Sequence, residues 1–314
     1  MFEGLTSSSV NLILYGCTVF ILGISCFLLG LFLIRWSLQK MVGKRTKELL
    51  TRMTKSPFTG VMTGILLATL LQSSSIVLIL VINLVSIGAL PLLNGIAIVL
   101  GANLGTSLTL EFIAFSDPIW ILFLFVLSIA LFLFKKPAQG TALFSLVLIL
   151  VGFTLFKQNA SLLTHITLAR PIADTFTTHV LTLLGGILFT AIIQSSTAAT
   201  AFTMTLVDNQ VVPLLTGVLV VYGSNIGTCS TAILAALGAS LQAKKIMLYH
   251  VFINILCVLL LLPLTPLLIS LIMHLTDDGL KQVAHAQVLF NVMTIIFFYP
   301  FIRQHVRLLN RFFS

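Results

Sequence analysis

Charge is what this chain lacks most. Of its 314 residues only 8% are Asp, Glu, Lys or Arg, against roughly 25% in a soluble domain. Acids are scarcer still, 8 against 17 basic residues. That scarcity excludes an ordinary soluble enzyme, a disordered chain and a coiled coil. Trp and Tyr are few, 2 and 4, while Phe reaches 24, so the aromatics are of the kind that hydrocarbon tolerates. The four cysteines, Cys17, Cys26, Cys229 and Cys257, all fall inside apolar runs, which argues against a disulfide framework. Strand-period alternation is missing too, which argues against a β-barrel. What remains is apolar: 58% hydrophobic residues and a mean hydropathy of +1.15, in runs that suit membrane-spanning helices.

The net charge of +9 is placed at the ends of apolar runs, not on a face for nucleic acid. Arg35 to Lys55, Lys135 and Lys136, Lys244 and Lys245, and Arg303, Arg307 and Arg311 form the pattern of cytoplasmic loops beside membrane lipid. The N-terminal MFEGLTSSSV has no basic stretch before its apolar run, so that run reads as a retained first span, not a signal peptide.

The chain also contains itself. Residues 64–109 align without a gap on 186–231, with roughly 18 of 46 positions identical, a level that indicates duplication. Gln72-Ser73-Ser74-Ser75 matches Gln194-Ser195-Ser196-Thr197, Pro91 matches Pro213, and Gly95 matches Gly217. Gly101-Ala102-Asn103-Leu104-Gly105-Thr106 matches Gly223-Ser224-Asn225-Ile226-Gly227-Thr228, and Thr109 matches Thr231.

A spanning helix needs ~20 apolar residues. Residues 10–34 qualify, whereas 58–71 and 75–87 are half that length with the polar tetrad between them. We read 57–88 as a re-entrant helical hairpin with the tetrad at its tip, and 90–115 as a crossing helix broken at the Gly-Ala-Asn-Leu-Gly-Thr segment. Residues 118–134 and 139–156 are plain spans; 179–207 repeats the hairpin and 211–238 the broken helix; spans 246–272 and 286–302 follow. With the 35–56 loop in the cytoplasm, every basic cluster falls on one side. That gives seven crossings, the N-terminus outside and the C-terminus inside. Three crossings separate the repeats, about 57–115 and 179–238, so they are inverted. The expected fold class is thus an all-α integral membrane protein of one transmembrane domain, 1–314. It is an inverted-repeat secondary transporter with two re-entrant hairpins, two broken helices and a midplane site between the repeats.

The chemistry of that site follows from its residue types. Half-helix N-termini after each tetrad favour an anion, and half-helix C-termini, with Gln, Asn, Ser and Thr oxygens, favour a small hard cation. Neither motif contains Lys or Arg, so co-bound cations would neutralise a divalent anion, the arrangement of cation-coupled symport. Other readings stand beside these. Lone serines can be interhelical glue, and both Gly-x-x-x-Gly segments can be packing motifs. Glu111 is either an interfacial acid or a cation or proton site. His250 reads as an interfacial or hydrogen-bonded structural residue rather than a proton relay, and Asn254 as packing or hydrogen-bonding one turn deeper, near the second break. Arg35 to Lys55 reads as a solvated loop. An intramembrane enzyme would need a base beside the serines, and neither tip motif offers a His or an acid.

The paired QSSS and QSST tips, followed by GANLGTS and GSNIGTCSTAILAAL, resemble the type II sodium/phosphate cotransporter family, in the prokaryotic short form without a C-terminal soluble domain. His250 and Asn254, and Gln287, Phe290 and Asn291, resemble that family's His-x-x-Phe-Asn pattern, each followed by a proline (Pro263, Pro300). The resemblance implies sodium-driven uptake of inorganic phosphate across the cytoplasmic membrane, with Na+ as coupling ion and no organic cofactor. It places substrate and Na+ on Gln72, Ser73, Ser74, Ser75, Gln194, Ser195, Ser196 and Thr197. The helix-break residues Asn103, Gly105, Thr106, Asn225, Gly227 and Thr228, with Thr200, are the further cation candidates. Oligomeric state, a homodimer included, stays open. So do a sulfate or dicarboxylate carrier of the same architecture and a non-transporting phosphate-sensing subunit.

Overall fold

The structure, a computed structural model, describes residues 7–52, 54, 56–114, 118–160 and 179–312. The N-terminal MFEGLT, Lys55 and residues 115–117 lie outside the described residues. Among the described residues fourteen helices run in order: α1 (Ser7–Arg52), α2 (Pro57–Leu71), α3 (Ser74–Ser86), α4 (Leu92–Ala114), α5 (Pro118–Leu133), α6 (Pro137–Ala160), α7 (His179–Ile193), α8 (Ser196–Asp208), α9 (Leu214–Gly227), α10 (Cys229–Ala235), α11 (Leu241–Leu261), α12 (Thr265–Leu275), α13 (Gly279–Phe298) and α14 (Ile302–Phe312). No strand occurs among the described residues.

Among the described residues, six stretches are long and apolar enough to cross a membrane: Leu14–Met41, Leu92–Ala114, Pro137–Leu155, Leu214–Ala235, Leu241–Leu261 and Gly279–Phe312. Of the seven expected crossings, 118–134 is the short one, a helix of 16 residues. It stops where Lys135 turns left-handed (φ 55), and Pro137 opens α6 directly after. The half-length arms appear as read. α2 has 15 residues and α3 13, while α7 has 15 and α8 13.

Three expectations need correction. The 35–56 segment is not a loop from its start, because α1 continues to Arg52 over 46 residues. The 246–272 span is two helices, α11 and α12, since Pro263 has no N–H to continue the ladder between them. And α4 is unbroken from Leu92 to Ala114. The second break is real but slight: one residue, Thr228, separates α9 from α10, and the Thr231 N–H bonds the Thr228 carbonyl in a tightened turn.

Why α4 stays whole is visible in its partner. A Cβ on Gly101 would lie 2.0 Å from the Val61 carbonyl oxygen of α2, and one on Gly105 2.4 Å from that of Ile65. From the other side, a Cβ on Gly64 would sit 2.1 Å from the Ile98 carbonyl oxygen. The glycines therefore let two helix backbones touch, as small residues do in membranes, and do not unwind the chain. Thr106 and Ser107 donate back to the carbonyls of Asn103 and Leu104 at 3.0 and 2.7 Å. The same seam recurs between α7 and α9. There, Cβ atoms on Gly223 and Gly227 would meet the Leu183 and Ile187 carbonyl oxygens at 2.3 and 2.6 Å. The core lies between these two pairs and the helices α11 and α13, around Tyr222, Tyr249 and Phe290.

These seams generate a prediction. Gly101→Ala and Gly223→Ala should each cost ~1–3 kcal/mol or more, because the obstacle is backbone and cannot move aside. Gly140→Ala should be milder, since only the Phe132 ring lies near, at 3.1 Å. Thermal unfolding of the three detergent-solubilised variants checks the order.

Candidate functional site

Each tetrad forms a tip in the same way. α2 ends because Gln72 takes a left-handed conformation (φ 51, ψ 32) and returns its N–H to the Ala68 carbonyl. Ser73 then runs extended, and its Oγ accepts from the Ile76 N–H at 3.3 Å, capping α3. In the second copy Gln194 is left-handed (φ 56), and Ser195 Oγ accepts from the Ala198 N–H at 3.3 Å, capping α8. A left-handed residue other than glycine is disfavoured by ~1–2 kcal/mol, and both tips hold one at the same register. The resulting turn sets a helix C-terminus beside a helix N-terminus, so partial negative and partial positive charge lie side by side.

The two tips meet across one side chain. Arg35 of α1 donates from Nε to the Gln72 carbonyl oxygen at 3.3 Å and from Nη2 to Ser195 Oγ at 3.2 Å. Residues of the first and second tetrads thus lie on either side of a single guanidinium. Gln72 is held further: its Oε1 accepts from Thr109 of α4 at 2.5 Å, and its Nε2 donates to the Thr69 carbonyl at 2.6 Å. A second bond joins the halves, Ser75 Oγ to Thr231 Oγ1 at 3.2 Å. The copies are not equal, however. Gln194 is exposed, whereas Gln72 is half-buried and tied to Thr109.

The other expected residues divide into three groups. Ser74, Ser75, Asn103 and Thr228 line one small cleft together with Thr231 and His250. There the amide nitrogen of Asn103 and the Nδ1 of His250 are buried without a hydrogen-bond partner, so His250 is not at an interface. Asn225 and Thr200 form a separate buried cluster with Gln287 of α13. Asn225 Nδ2 donates to Gln287 Oε1 at 3.2 Å, Gln287 Nε2 donates to Asn225 Oδ1 at 3.1 Å, and Thr200 donates to Gln287 Oε1 at 3.4 Å. Gly105, Gly227 and Thr106 serve helix packing and intrahelical bonding. Ser73, Ser195 and Thr197 are buried at the tips, and Ser196 is half-buried. Glu111 Oε1 lies 2.8 Å from His285 Nδ1 of α13, an ion pair when the imidazole is protonated.

Arg35, Thr109, Thr231, His250 and Gln287 join these residues from outside the tips and helix-break segments. Thr109 and Thr231 carried a signal, being matched positions of the repeat. Gln287 matched a family pattern. Arg35 had only one weak mark: it precedes the next basic residue, Lys40, by a full helical turn of other residues. Among the described residues no three His, Cys, Asp or Glu side chains cluster. The oxygen donors at the tips are amides, hydroxyls and carbonyls, a set that suits a hard alkali cation better than a transition metal.

Apolar helices long enough to cross a membrane and a duplicated pair of short helices with polar junctions fit a multi-pass membrane protein, and the family match makes its class that of transporters. The family model described as Na+/Pi-cotransporter matches the chain twice, over residues 26–158 and 148–295. The chain belongs to the Na+/Pi-cotransporter family. It is 33% identical over 288 residues to the uncharacterized protein YqeW of Bacillus subtilis strain 168, covering 90% of this chain and 94% of YqeW. It is 26% identical over 280 residues to the "Putative inorganic phosphate export protein YjbB" of Escherichia coli K12, covering 87% of this chain. The match spans about half the length of YjbB, 51%. The Salmonella typhimurium LT2 protein of the same name is also 26% identical, over 289 residues that cover 90% of this chain and 53% of that protein. No solved structure matches the chain.

The capping serines can be tested by substitution. Ser73→Ala and Ser195→Ala should each lower stability by ~0.5–2 kcal/mol, while Ser→Gly at the same positions should cost only a few tenths. Unfolding midpoints of the four variants check this. Losses near zero for Ser73→Ala and Ser195→Ala would show that the caps contribute little.

Proposed function

We propose that the chain is a sodium-coupled symporter of inorganic phosphate whose site lies between the two tetrad tips. The observation that carries this reading is the approach of both tips to Arg35. That approach brings the C-terminus of α2 and the Ser195-capped N-terminus of α8 to one guanidinium, and the Ser75–Thr231 bond ties the two halves together a few residues away. Such a region offers oriented N–H donors to an oxyanion and carbonyl and hydroxyl oxygens to Na+. Family membership supports phosphate as the cargo.

In this reading α2–α3 and α7–α8 are re-entrant hairpins, entering from the cytoplasmic and outer sides respectively, and the repeats are inverted. The chain crosses seven times, with α5 as the short crossing. Lys135, Lys136, Lys244, Lys245 and the α14 arginines face the cytoplasm with the C-terminus, and the N-terminus faces out. Polar backbone at hairpin tips is tolerated within a membrane only where protein or water satisfies it, and the bonds to Gln72 and Ser195 meet that need.

Direction follows from the cargo. Moving one positive charge inward gains ~2.3 kcal/mol per 100 mV of inside-negative potential. Three Na+ with HPO4²⁻ are drawn in, two are indifferent to voltage, and one is pushed out. The export named for YjbB belongs to that protein; here it makes efflux a reading to be measured beside uptake.

Purified protein in proteoliposomes should move labelled phosphate when a sodium gradient is imposed, inward or outward according to loading. Sulfate and succinate should compete poorly. Gln194→Ala and Ser195→Ala should each reduce flux to background while the protein still inserts. Flux that ignores sodium would remove the coupling. Binding without flux would favour a phosphate-sensing subunit, and preferential sulfate or succinate transport would reassign the cargo.

A further inference from the structure

We propose that Arg35 is a tethered counter-cation for the transported oxyanion, standing in for one mobile sodium; this rests on the phosphate-symport reading. The geometry is specific. Arg35 lies within the apolar Leu14–Met41 stretch, six residues from its end, where a charged side chain is costly unless it reaches the interface or finds polar partners. It does not reach outward as Lys40 does, whose Nζ lies over the Trp36 ring at 5.1 Å from its centre. Instead its guanidinium contacts one polar atom on each tip.

Those two atoms differ in character. The Gln72 carbonyl closes α2, a helix C-terminus, where a cation is favoured. Ser195 Oγ caps α8, a helix N-terminus, where a cation is disfavoured and an anion is favoured. A guanidinium in that second position adds its charge to the positive end of α8 and leaves both seeking negative charge. Two of its five N–H donors are accounted for by Gln72 and Ser195, so three are left in a planar fork suited to a phosphate oxygen pair. The neighbouring oxygen donors are neutral amides, hydroxyls and carbonyls, so without Arg35 both charges of HPO4²⁻ would fall to mobile cations. With it, one sodium leaves the bound group neutral.

The consequence is a fixed charge that does not travel. The cargo then carries one positive charge fewer than it would with a sodium in the same place.

The test is equilibrium binding of labelled inorganic phosphate to purified wild type, Arg35→Gln, Arg35→Lys and Lys40→Gln across a range of Na+ concentrations. Size-exclusion profiles confirm that each variant is folded. Arg35→Gln should bind phosphate roughly 10- to 100-fold more weakly at fixed Na+, and the dependence of its affinity on Na+ should steepen by about one ion. Arg35→Lys should keep the wild-type Na+ slope while losing part of the affinity, because it keeps the charge and loses the fork. Lys40→Gln should match wild type. Unchanged affinity and slope in Arg35→Gln would overturn the proposal. So would an Arg35→Lys variant that is folded and as impaired as Arg35→Gln, since charge would then not be what matters. A wild type that binds no phosphate at any Na+ concentration would instead overturn the symport reading on which this rests.

Discussion

A helix that ends among apolar side chains leaves backbone groups with no water to satisfy them, and the structure is organised around two such ends. At Gln72 and Gln194 the chain stops one helix and starts the next within two residues. The carbonyls and N–H groups released there must find partners inside the protein. They find a capping serine in each copy and one arginine reaching in from α1. Other features of the centre follow from that requirement. Thr109 fixes Gln72, Ser75 and Thr231 join across the halves, and α1 must lie close enough to lend Arg35.

Duplication is what makes the requirement soluble twice. The left-handed glutamine, the extended serine cap and the paired glycine seam recur at matched positions. Gly95 and Gly217 repeat the pattern too. A Cβ on Gly95 would meet Val81 and Val85, and one on Gly217 would meet Thr203 and Val207, their counterparts in the repeat. The divergence is as informative as the likeness. Gln72 is anchored by Thr109, while Gln194 is exposed and Thr231 reaches Ser75 instead. On the second side, Gln287 bonds Asn225 and Thr200. On the first, His250 lines a cleft with Asn103 and Leu78, the counterparts of those two residues.

The sequence made the membrane class, the repeat, the two short helix pairs and their polar tips legible, because half-length apolar runs interrupted by a tetrad have few other solutions. It misled at Gly101–Thr106. Glycine serves both unwinding and close approach, and the segment alone does not choose between them. The deciding residues were Gly60 and Gly64 on α2, where small side chains accept the facing backbone. Arg35 was hidden for a different reason. A basic residue at the end of an apolar run, followed by more of them, has the same pattern whether it faces headgroups or turns inward, and only the position of α1 against the tips decides.

The glycine seams also set how the molecule can deform. Where backbone meets backbone with no side chain between, neither helix of α2–α4 or α7–α9 can slide without collision. Each pair therefore behaves as a stiff plate. Arg35 and the Ser75–Thr231 bond, by contrast, link the two halves through α1, α3, the α8 cap and α10, by hydrogen bonds that water or an ion could replace one at a time. The apolar helices α11 and α13 pack against both pairs as well, so one pair can shift against the other only by sliding over that shared core.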